Sequence, residues 1–361
     1  MGDILWVPKK TAPPWSDGFL ETPAGRIPRV STAWGKAEQR GRRLCRWSNA
    51  SRMKYTVDPG LYAAGNPSPE SPVLVTANYK LSFDMLRREL SGIDAWILVL
   101  DTKGINVWCA AGKGTFGTGE LVRRVRSVKL PEVVSHHRLV LPQLGAPGIQ
   151  AHVVRQESGF VVDFGPVRAA DLPAYLQAGR KASPEMRAVR FGWKDRLELT
   201  PMEFLPALRH YPWLLLGLFL LFGLHPQGIL FRPALLGGWS FALLSLATIL
   251  TGSLLVPLFL PWVPFRSFAL KGWLAGAVLS GGFLALHWGA VSRNVFLVVL
   301  AAAFFPAASS YLALMFTGTT VYTGLSGVQK EMRFALPLYI AALVLTAACA
   351  VLALLRNWGL V

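Results

Sequence analysis

Among the residues able to do chemistry, Cys109 stands in the most informative context. The chain there reads Asp101-Thr102-Lys103-Gly104-Ile105-Asn106-Val107-Trp108-Cys109-Ala110-Ala111-Gly112-Lys113-Gly114. Asn106 is a good N-cap. Val107 to Ala111 can then form one helical turn, ended by Gly112 or Gly114. Cys109 is expected in the first turn, where backbone N–H groups and the helix dipole favour a thiolate. Lys113, four residues on, adds positive charge. Ala110 and Ala111 remove bulk, leaving room for something large and flat. A thiolate so placed is a soft metal ligand or a nucleophile. The plainer alternative is an inert thiol packed beside Trp108. A rival chemistry lies in the same stretch: Gly112-Lys113-Gly114-Thr115-Phe116-Gly117 matches the dinucleotide fingerprint G-x-G-x-x-G. Its first glycine, however, should follow a strand at once, and no acidic strand end stands about twenty residues on. A Walker A loop fails because Gly114 replaces the required Ser or Thr.

The elements around this segment must position it. Pro72 to Thr76 and Ala95 to Leu100 read as buried strands, and Arg138 to Leu141, Gln150 to Arg155 and Phe160 to Phe164 as further strands. Ser82 to Leu90, capped by Ser82, Gly119 to Val128 and Leu172 to Ala178 read as helices. The order predicts an α/β, Rossmann-like domain over residues 71–180, with a mostly parallel sheet and a ligand at the loops leaving its strand C-termini. Residues 1–70, rich in Pro, Gly, Arg and Trp, read as a basic N-terminal arm of loop or extended chain.

Charge divides the rest. Of 37 Lys/Arg and 20 Asp/Glu, only seven and one fall after His210. A soluble core does not account for such a stretch; membrane helices do. Residues 181–209 form a basic, amphipathic linker, and 210–361 hold apolar runs at 211–225, 234–257, 268–290, 294–316 and 334–355. An all-α bundle of five transmembrane helices is expected. Runs of small residues such as Gly276 to Gly282 suit close helix packing. Alternate loops carry Arg187, Arg190, Lys194, Arg196 and Arg209, then Arg266 and Lys271, then Lys330 and Arg333, against Arg232, Arg293 and Arg356 singly on the other side. That bias puts the N-terminal half in the cytoplasm. Met1 to Gly25 lacks the apolar core of a signal peptide. The expected location is therefore the cell inner (cytoplasmic) membrane, multi-pass. The net charge of +17 is spread over loops and domain. It fits membrane lipid or an anionic ligand, so no nucleic acid is expected.

Asn-Val-Trp-Cys-Ala-Ala-Gly-Lys at 106–113 resembles the signature of the HgcA family, the membrane-anchored corrinoid proteins of microbial mercury methylation in anaerobes. Val75 to Lys80, Leu98 to Gly104, Leu141 to Gly148, Phe164 to Arg168, and Thr317-Gly318 through Glu331-Met332-Arg333 are similar to family segments as well. The resemblance implies a cobalamin-type corrinoid in a domain similar to the corrinoid iron–sulfur protein large subunit. The cofactor contacts it implies are Thr76, Asn78, Thr102, Gly104, Asn106, Val107, Trp108, Cys109, Ala110, Ala111, Gly112, Lys113, Gly114, Gln143 and Gly145. Cys109 would be the lower axial ligand to cobalt. None of the six histidines stands two residues after an Asp, so the D-x-H-x-x-G motif that supplies a histidine ligand elsewhere is missing.

The implied activity is a cobalamin-dependent mercury methyltransferase, passing a methyl group from methyl-cobalt to Hg(II) to form methylmercury. The implied partners are a ferredoxin-like electron donor with two [4Fe–4S] clusters and a methyl donor from the methyltetrahydrofolate pathway. A membrane-bound corrinoid methyl carrier for one-carbon metabolism, and a membrane nucleotide-binding sensor using the glycine run, are the alternatives. Other candidates read as structural. His136-His137 precedes a strand, so adjacent imidazoles point apart. Cys45 and Cys349 lack partners at metal-ligand spacing. The hydroxyl-rich loop Thr317 to Arg333 suits domain docking, a substrate path, or packing.

Overall fold

The computed structural model describes residues 13, 15–320, 322, 323 and 325–361, without the side chains of Asn49, Thr319 and Leu325. The start of the expected arm (1–12 and Pro14) and two positions of the hydroxyl-rich loop, Val321 and Gly324, lie outside the described residues. The chain separates into two units, Met1–Val189 and Arg190–Val361.

The first unit is built on a seven-stranded mixed sheet. Its strands are β1 (Ser16–Thr22), β2 (Gly25–Val30), β3 (Gly60–Ala64), β4 (Val73–Ala77), β5 (Ala95–Leu100), β6 (Arg138–Leu141) and β7 (Val161–Phe164), in the order β1-β2-β3-β5-β4-β6-β7. Strands β5, β4, β6 and β7 are mutually parallel. Strand β3 runs antiparallel to β5. Strands β4 and β5 are apolar runs with every residue buried, as strands covered on both faces must be. Alternate residues of β5 point to opposite layers. Trp96, Leu98 and Leu100 join one core, and Ala95, Ile97 and Val99 join the other.

Helices α1 (Lys36–Trp47), α2 (Asn49–Lys54), α3 (Lys80–Arg88), α4 (Val107–Gly112), α5 (Thr118–Ser127), α6 (Leu130–Val133), α7 (Ala151–Ser158) and α8 (Leu172–Gln177) complete the unit. Residues of α4 to α7 fill one core and those of α3 and α8 the other, so the sheet is covered on both sides.

Three expectations are corrected. Residues 16–64, read as loop or extended chain, supply β1 to β3, and Ile27, Val30, Leu61 and Tyr62 are buried in the cores. The strand expected over Gln150 to Arg155 is helix α7; its single fully buried residue is Val154, and Gly159 ends it in the left-handed region at φ 77°. Two consecutive valines mimic a strand there, but one apolar stripe is all that touches the sheet. Ser82 lies inside α3, whose N-cap is Tyr79.

A buried charge network joins α3 to the segment before it. The Arg87 guanidinium pairs with Asp84 Oδ1 at 2.9 Å and Glu38 Oε1 at 2.8 Å, and donates to the Ser31 and Ala33 carbonyls. Lys80 also pairs with Asp84, at 2.8 Å. Burial pushes the Glu38 carboxyl up, but hydrogen bonds from backbone N–H groups and Arg87 outweigh it and hold Glu38 below its usual range. The contribution of Glu38 is therefore present above the ordinary carboxylate range and lost as pH falls through the lowered value.

The second unit contains five helices long and apolar enough to cross a membrane: Trp193–Gly223, Phe231–Leu258, Phe268–Leu286, Val295–Gly318 and Ser326–Asn357. This is a membrane protein with an α/β unit in front of its spans. The first span begins well before residue 211, because the basic linker is itself helical from Trp193. Hydroxyls within the spans donate to carbonyls one turn back, as Ser245 does to Phe241 and Thr248 to Leu244. Gly272 and Gly276 let the third span approach the fourth. A Cβ on Gly276 would lie 2.7 Å from Ser309 Cβ.

Removing Arg87 strands buried acceptors. Arg87→Ala is expected to lower the stability of the detergent-solubilised chain by about 3 kcal/mol. Arg138→Ala, which breaks the exposed pair with Asp163, should cost less than about 1 kcal/mol. Equal shifts in thermal unfolding for the two variants would refute the network's role.

Candidate functional site

The chain enters β4, crosses by α3 to β5 on one side, then crosses back to β6 on the other. The strand order therefore reverses at β4. In open α/β sheets that reversal leaves a crevice at the strand C-termini, which is where ligands bind. The residues just beyond the three strands are Asn78 after β4, Asp101 to Asn106 after β5, and the 3-10 turn Gln143–Gly148 after β6.

Asn78 organises the second of these loops. Its Oδ1 accepts from the backbone N–H groups of Thr102 at 3.0 Å and Gly104 at 2.9 Å, and from the Thr102 hydroxyl at 2.8 Å. The Thr102 hydroxyl also lies 2.6 Å from the Ile105 carbonyl oxygen. Lys103 and Gly104 take φ values of 58° and 71° in succession. A Cβ on Gly104 would also fall 2.9 Å from Thr56 Cγ2, so both backbone and space require glycine. Asp101 anchors the start of the loop. Its N–H donates to Glu120 Oε1 at 2.8 Å, and its carboxylate takes the Lys103 ammonium at 2.6 Å. Burial pushes the Asp101 carboxyl up, but the hydrogen bonds from Lys103 and the charges of Lys103 and Arg124 outweigh it and hold it below the usual range.

The loop delivers the chain into α4 with Asn106 as N-cap, its Oδ1 accepting from the Cys109 N–H at 2.9 Å. Cys109 is the third residue of the helix and is half-buried. Lys113 is the C-cap, and Gly114 turns the chain away at φ 78°. The helix has two faces. Val107, Ala110 and Ala111 are buried in the core and pack inward. The two alanines therefore serve the chain's own packing, not the open side. The turn Gln143–Gly148 comes so close that a Cβ on Gly148 would overlap the Phe116 carbonyl oxygen and lie 3.1 Å from Ala111 Cα. Gly145 is held as tightly by the Phe116 ring. Trp108 and Cys109 are partly exposed, and Gly112, Lys113 and Gly114 are exposed. A Cβ on Gly112 or Gly114 would meet nothing within 4 Å.

The expected site residues thus sort by position. Thr76 in β4, Asn78 just beyond it, and Thr102 and Gly104 within the loop are all buried. Asn106, Trp108, Cys109, Gly112, Lys113 and Gly114 reach its open side. Gln143 lies half-buried in the facing turn, and its side-chain Oε1 is buried without a hydrogen-bond partner. Phe116, Glu120 and Gly148 also build the site; the Gly-x-x-Gly spacing of 145 and 148 is the one sign of this in the sequence. The run Gly112 to Gly117 lies between α4 and α5 instead of between a strand and a helix, which removes the dinucleotide geometry. The histidines expected to be structural are so placed: His136 bonds to the Ser71 carbonyl, and His137 packs on Phe160.

Residues 49–171 match the profile of a family described as CO dehydrogenase/acetyl-CoA synthase delta subunit. The matched stretch holds β3 to β7 and the whole candidate site. The chain is 32% identical over 128 residues to the acetyl-CoA decarbonylase/synthase complex subunit gamma of Archaeoglobus fulgidus, covering 35% of this chain and 27% of that one. It is 36% identical over 129 residues to the subunit of the same name from Methanopyrus kandleri, with the same coverage of 35% and 27%. For the subunit from Methanosarcina acetivorans the figures are 32% over 131 residues, 35% and 27%. The chain spans about a quarter of the length of these curated relatives.

Asn78→Ala leaves two backbone donors without their acceptor, a loss of about 2 kcal/mol. Hydrogen exchange across 101–109 is expected to accelerate in that variant, while Asn78→Asp, which keeps the acceptor oxygens, stays closer to the wild type. Unchanged protection in Asn78→Ala would show that the loop holds itself.

Proposed function

We propose that this protein is a membrane-anchored corrinoid protein that transfers a methyl group to Hg(II), forming methylmercury, with Cys109 as the lower axial ligand to cobalt. The observation that carries this reading is the half-exposed Cys109 thiol beside side-chain-free backbone at the sheet's reversal point. The resemblance of residues 106–113 to the HgcA signature narrows the acceptor to mercury. The similarity to acetyl-CoA decarbonylase/synthase subunits supports methyl-transfer chemistry more broadly.

The residues present fit a corrinoid. A flat macrocycle needs an open surface, and Gly112 and Gly114 offer backbone with nothing beyond it. A soft thiolate suits a transition metal. The partnerless Gln143 Oε1 is an acceptor for a peripheral amide of the ring. When bound, the corrinoid supplies the methyl-carrying cobalt and the hard chemistry. The chain's own contribution is positioning and electronics. Asn106 fixes the first turn of α4 through the Cys109 N–H and so sets the direction of the thiol. Asn78 holds the loop through Thr102 and Gly104, and Thr76 lies buried in the strand before Asn78. Val107, Ala110 and Ala111 seat the helix on the core, and Gly145 allows the facing turn to close on it. Trp108 precedes Cys109 directly, and Lys113 follows it by four residues as the helix C-cap. A Cys109 thiolate would hold the metal of a bound corrinoid and supply electron density to it.

Electrons for repeated turnover come from another protein in this reading. We assign that role to a ferredoxin-like partner with two [4Fe–4S] clusters, and the methyl supply to a methyltetrahydrofolate pathway. The α/β unit lies on the cytoplasmic side of the inner membrane. A second reading, a methyl carrier for one-carbon metabolism, is favoured by the names of the relatives. Whether Hg(II) accepts the methyl group separates the two.

Cys109→Ala is expected to abolish methylmercury formation in cells while the chain still reaches the membrane. Cobalt and corrinoid analysis of the purified protein should find both, and the absorption spectrum of the bound corrinoid should change in the variant. Near-wild-type methylation by Cys109→Ala would remove the ligand role. Cys45→Ala and Cys349→Ala, both at buried thiols, are expected to act mildly through packing alone, and a null phenotype in either would contradict this.

A further inference from the structure

Among the described residues of the membrane unit, one guanidinium is buried without a paired carboxylate. Arg196, on the helix Trp193–Leu199, is 3% exposed. Its Nε is buried with no partner. Its one side-chain hydrogen bond among the described residues is a long one, from Nη1 to the Tyr322 hydroxyl at 3.5 Å. No carboxylate pairs with it there, although the neighbouring helix turn carries Asp195 and Glu198. A buried charge needs pairing and hydrogen bonds to be tolerated. The arrangement is therefore incomplete as it stands.

Its place in the bundle narrows the missing partner. Leu199, three residues on, and Phe191 pack against Val256, Leu260 and Phe316. Those contacts put Arg196 where the second and fourth spans end and the third begins. Chain alternation brings Arg266, Lys271, Lys330 and Arg333 to that same end. Anions are drawn to such an end, and membranes present phosphate groups at that depth. A guanidinium offers a planar fork of donors that matches a phosphate oxyanion. Tyr322 marks the way out: its ring meets Phe191 edge-on at 5.6 Å, and it is 54% exposed.

We propose that Arg196, together with the Tyr322 hydroxyl, binds a phosphate oxyanion at this end of the membrane unit, carried by an anionic phospholipid headgroup or by a free phosphate. The site is independent of the corrinoid reading.

The test uses the full chain, purified in neutral detergent and depleted of lipid, with thermal unfolding followed as phosphatidylglycerol, phosphatidylcholine or inorganic phosphate is added. The wild type is expected to be stabilised. Stabilisation by phosphatidylglycerol alone identifies a lipid headgroup; stabilisation by inorganic phosphate identifies a free anion. Arg196→Leu removes the charge while keeping apolar contacts, and should need about tenfold more ligand for the half-maximal shift. Arg356→Leu, an exposed charge loss at the other end of the spans, should respond as the wild type does. If Arg196→Leu does not fold, Arg196→Lys decides, because it keeps the charge without the fork: a rise of about tenfold supports the site. No shift in the wild type with any of the three, or an unchanged midpoint in the folded Arg196 variant, overturns the proposal.

Discussion

A single carboxamide oxygen connects the end of one central strand to the start of the helix that bears the thiol. The chain leaving β5 must pass through two left-handed residues, Lys103 and Gly104, before α4 can begin. Left-handed backbone at lysine is unfavourable by itself, and the N–H groups around it have no ladder to join. Asn78 Oδ1 supplies the acceptor for Thr102 and Gly104 together. Because Asn78 is one residue beyond β4, the loop inherits the rigidity of the sheet. The Asp101 N–H, held by Glu120 of α5, fixes the loop from its other side. Asn106 then continues the same device, an amide oxygen accepting backbone N–H, and aims Cys109 outward.

Much of this was legible in the residue string, for local reasons. Strands β4 and β5 announce themselves as unbroken apolar runs, since both faces are covered. The cap at Asn106, the short helix and the glycine exit at Gly114 are encoded within nine residues, so nothing distant had to be known. The failures are equally physical. Strand β3 is Gly-Leu-Tyr-Ala-Ala, weak in strand preference, and gains its place from pairing with β5 more than thirty residues on. Helix α7 shows two adjacent valines, and only its packing reveals that Val154 alone reaches the core. Asn78 stood in the sequence only as a cofactor contact implied by the resemblance, because its three-way acceptance depends on a loop 24 to 26 residues away.

In the membrane half, composition located the spans while side-chain chemistry set their ends. Ser267 caps the third span by accepting from the Leu270 N–H. Glu331, the lone acid after residue 210, accepts from the Ser267 hydroxyl at 2.8 Å and the Ala269 N–H at 3.0 Å. A carboxylate at a helix N-terminus satisfies orphan donors and complements the dipole. That accounts for an acid in an otherwise apolar stretch without giving it a catalytic role. The hydroxyl-rich loop is likewise partly explained by local bonds: Thr317 donates to the Leu314 carbonyl and Thr320 to that of Thr317.

Small residues around the candidate site differ in what requires them. Ala110, Ala111, Gly145 and Gly148 are small because the chain packs on itself, with Phe116 as the common neighbour of the two glycines. Larger side chains there would separate α4 from the turn after β6 and move the thiol. Gly112 and Gly114 differ. Gly114 is required by its positive φ, whereas Gly112, the last residue of α4, has no positive φ that calls for glycine. No described residue approaches the missing Cβ of Gly112. An exposed glycine without an internal steric reason, one turn from a half-exposed thiol, leaves open surface beside Cys109. In the proposed reading, a flat cofactor bearing a metal would rest on that surface.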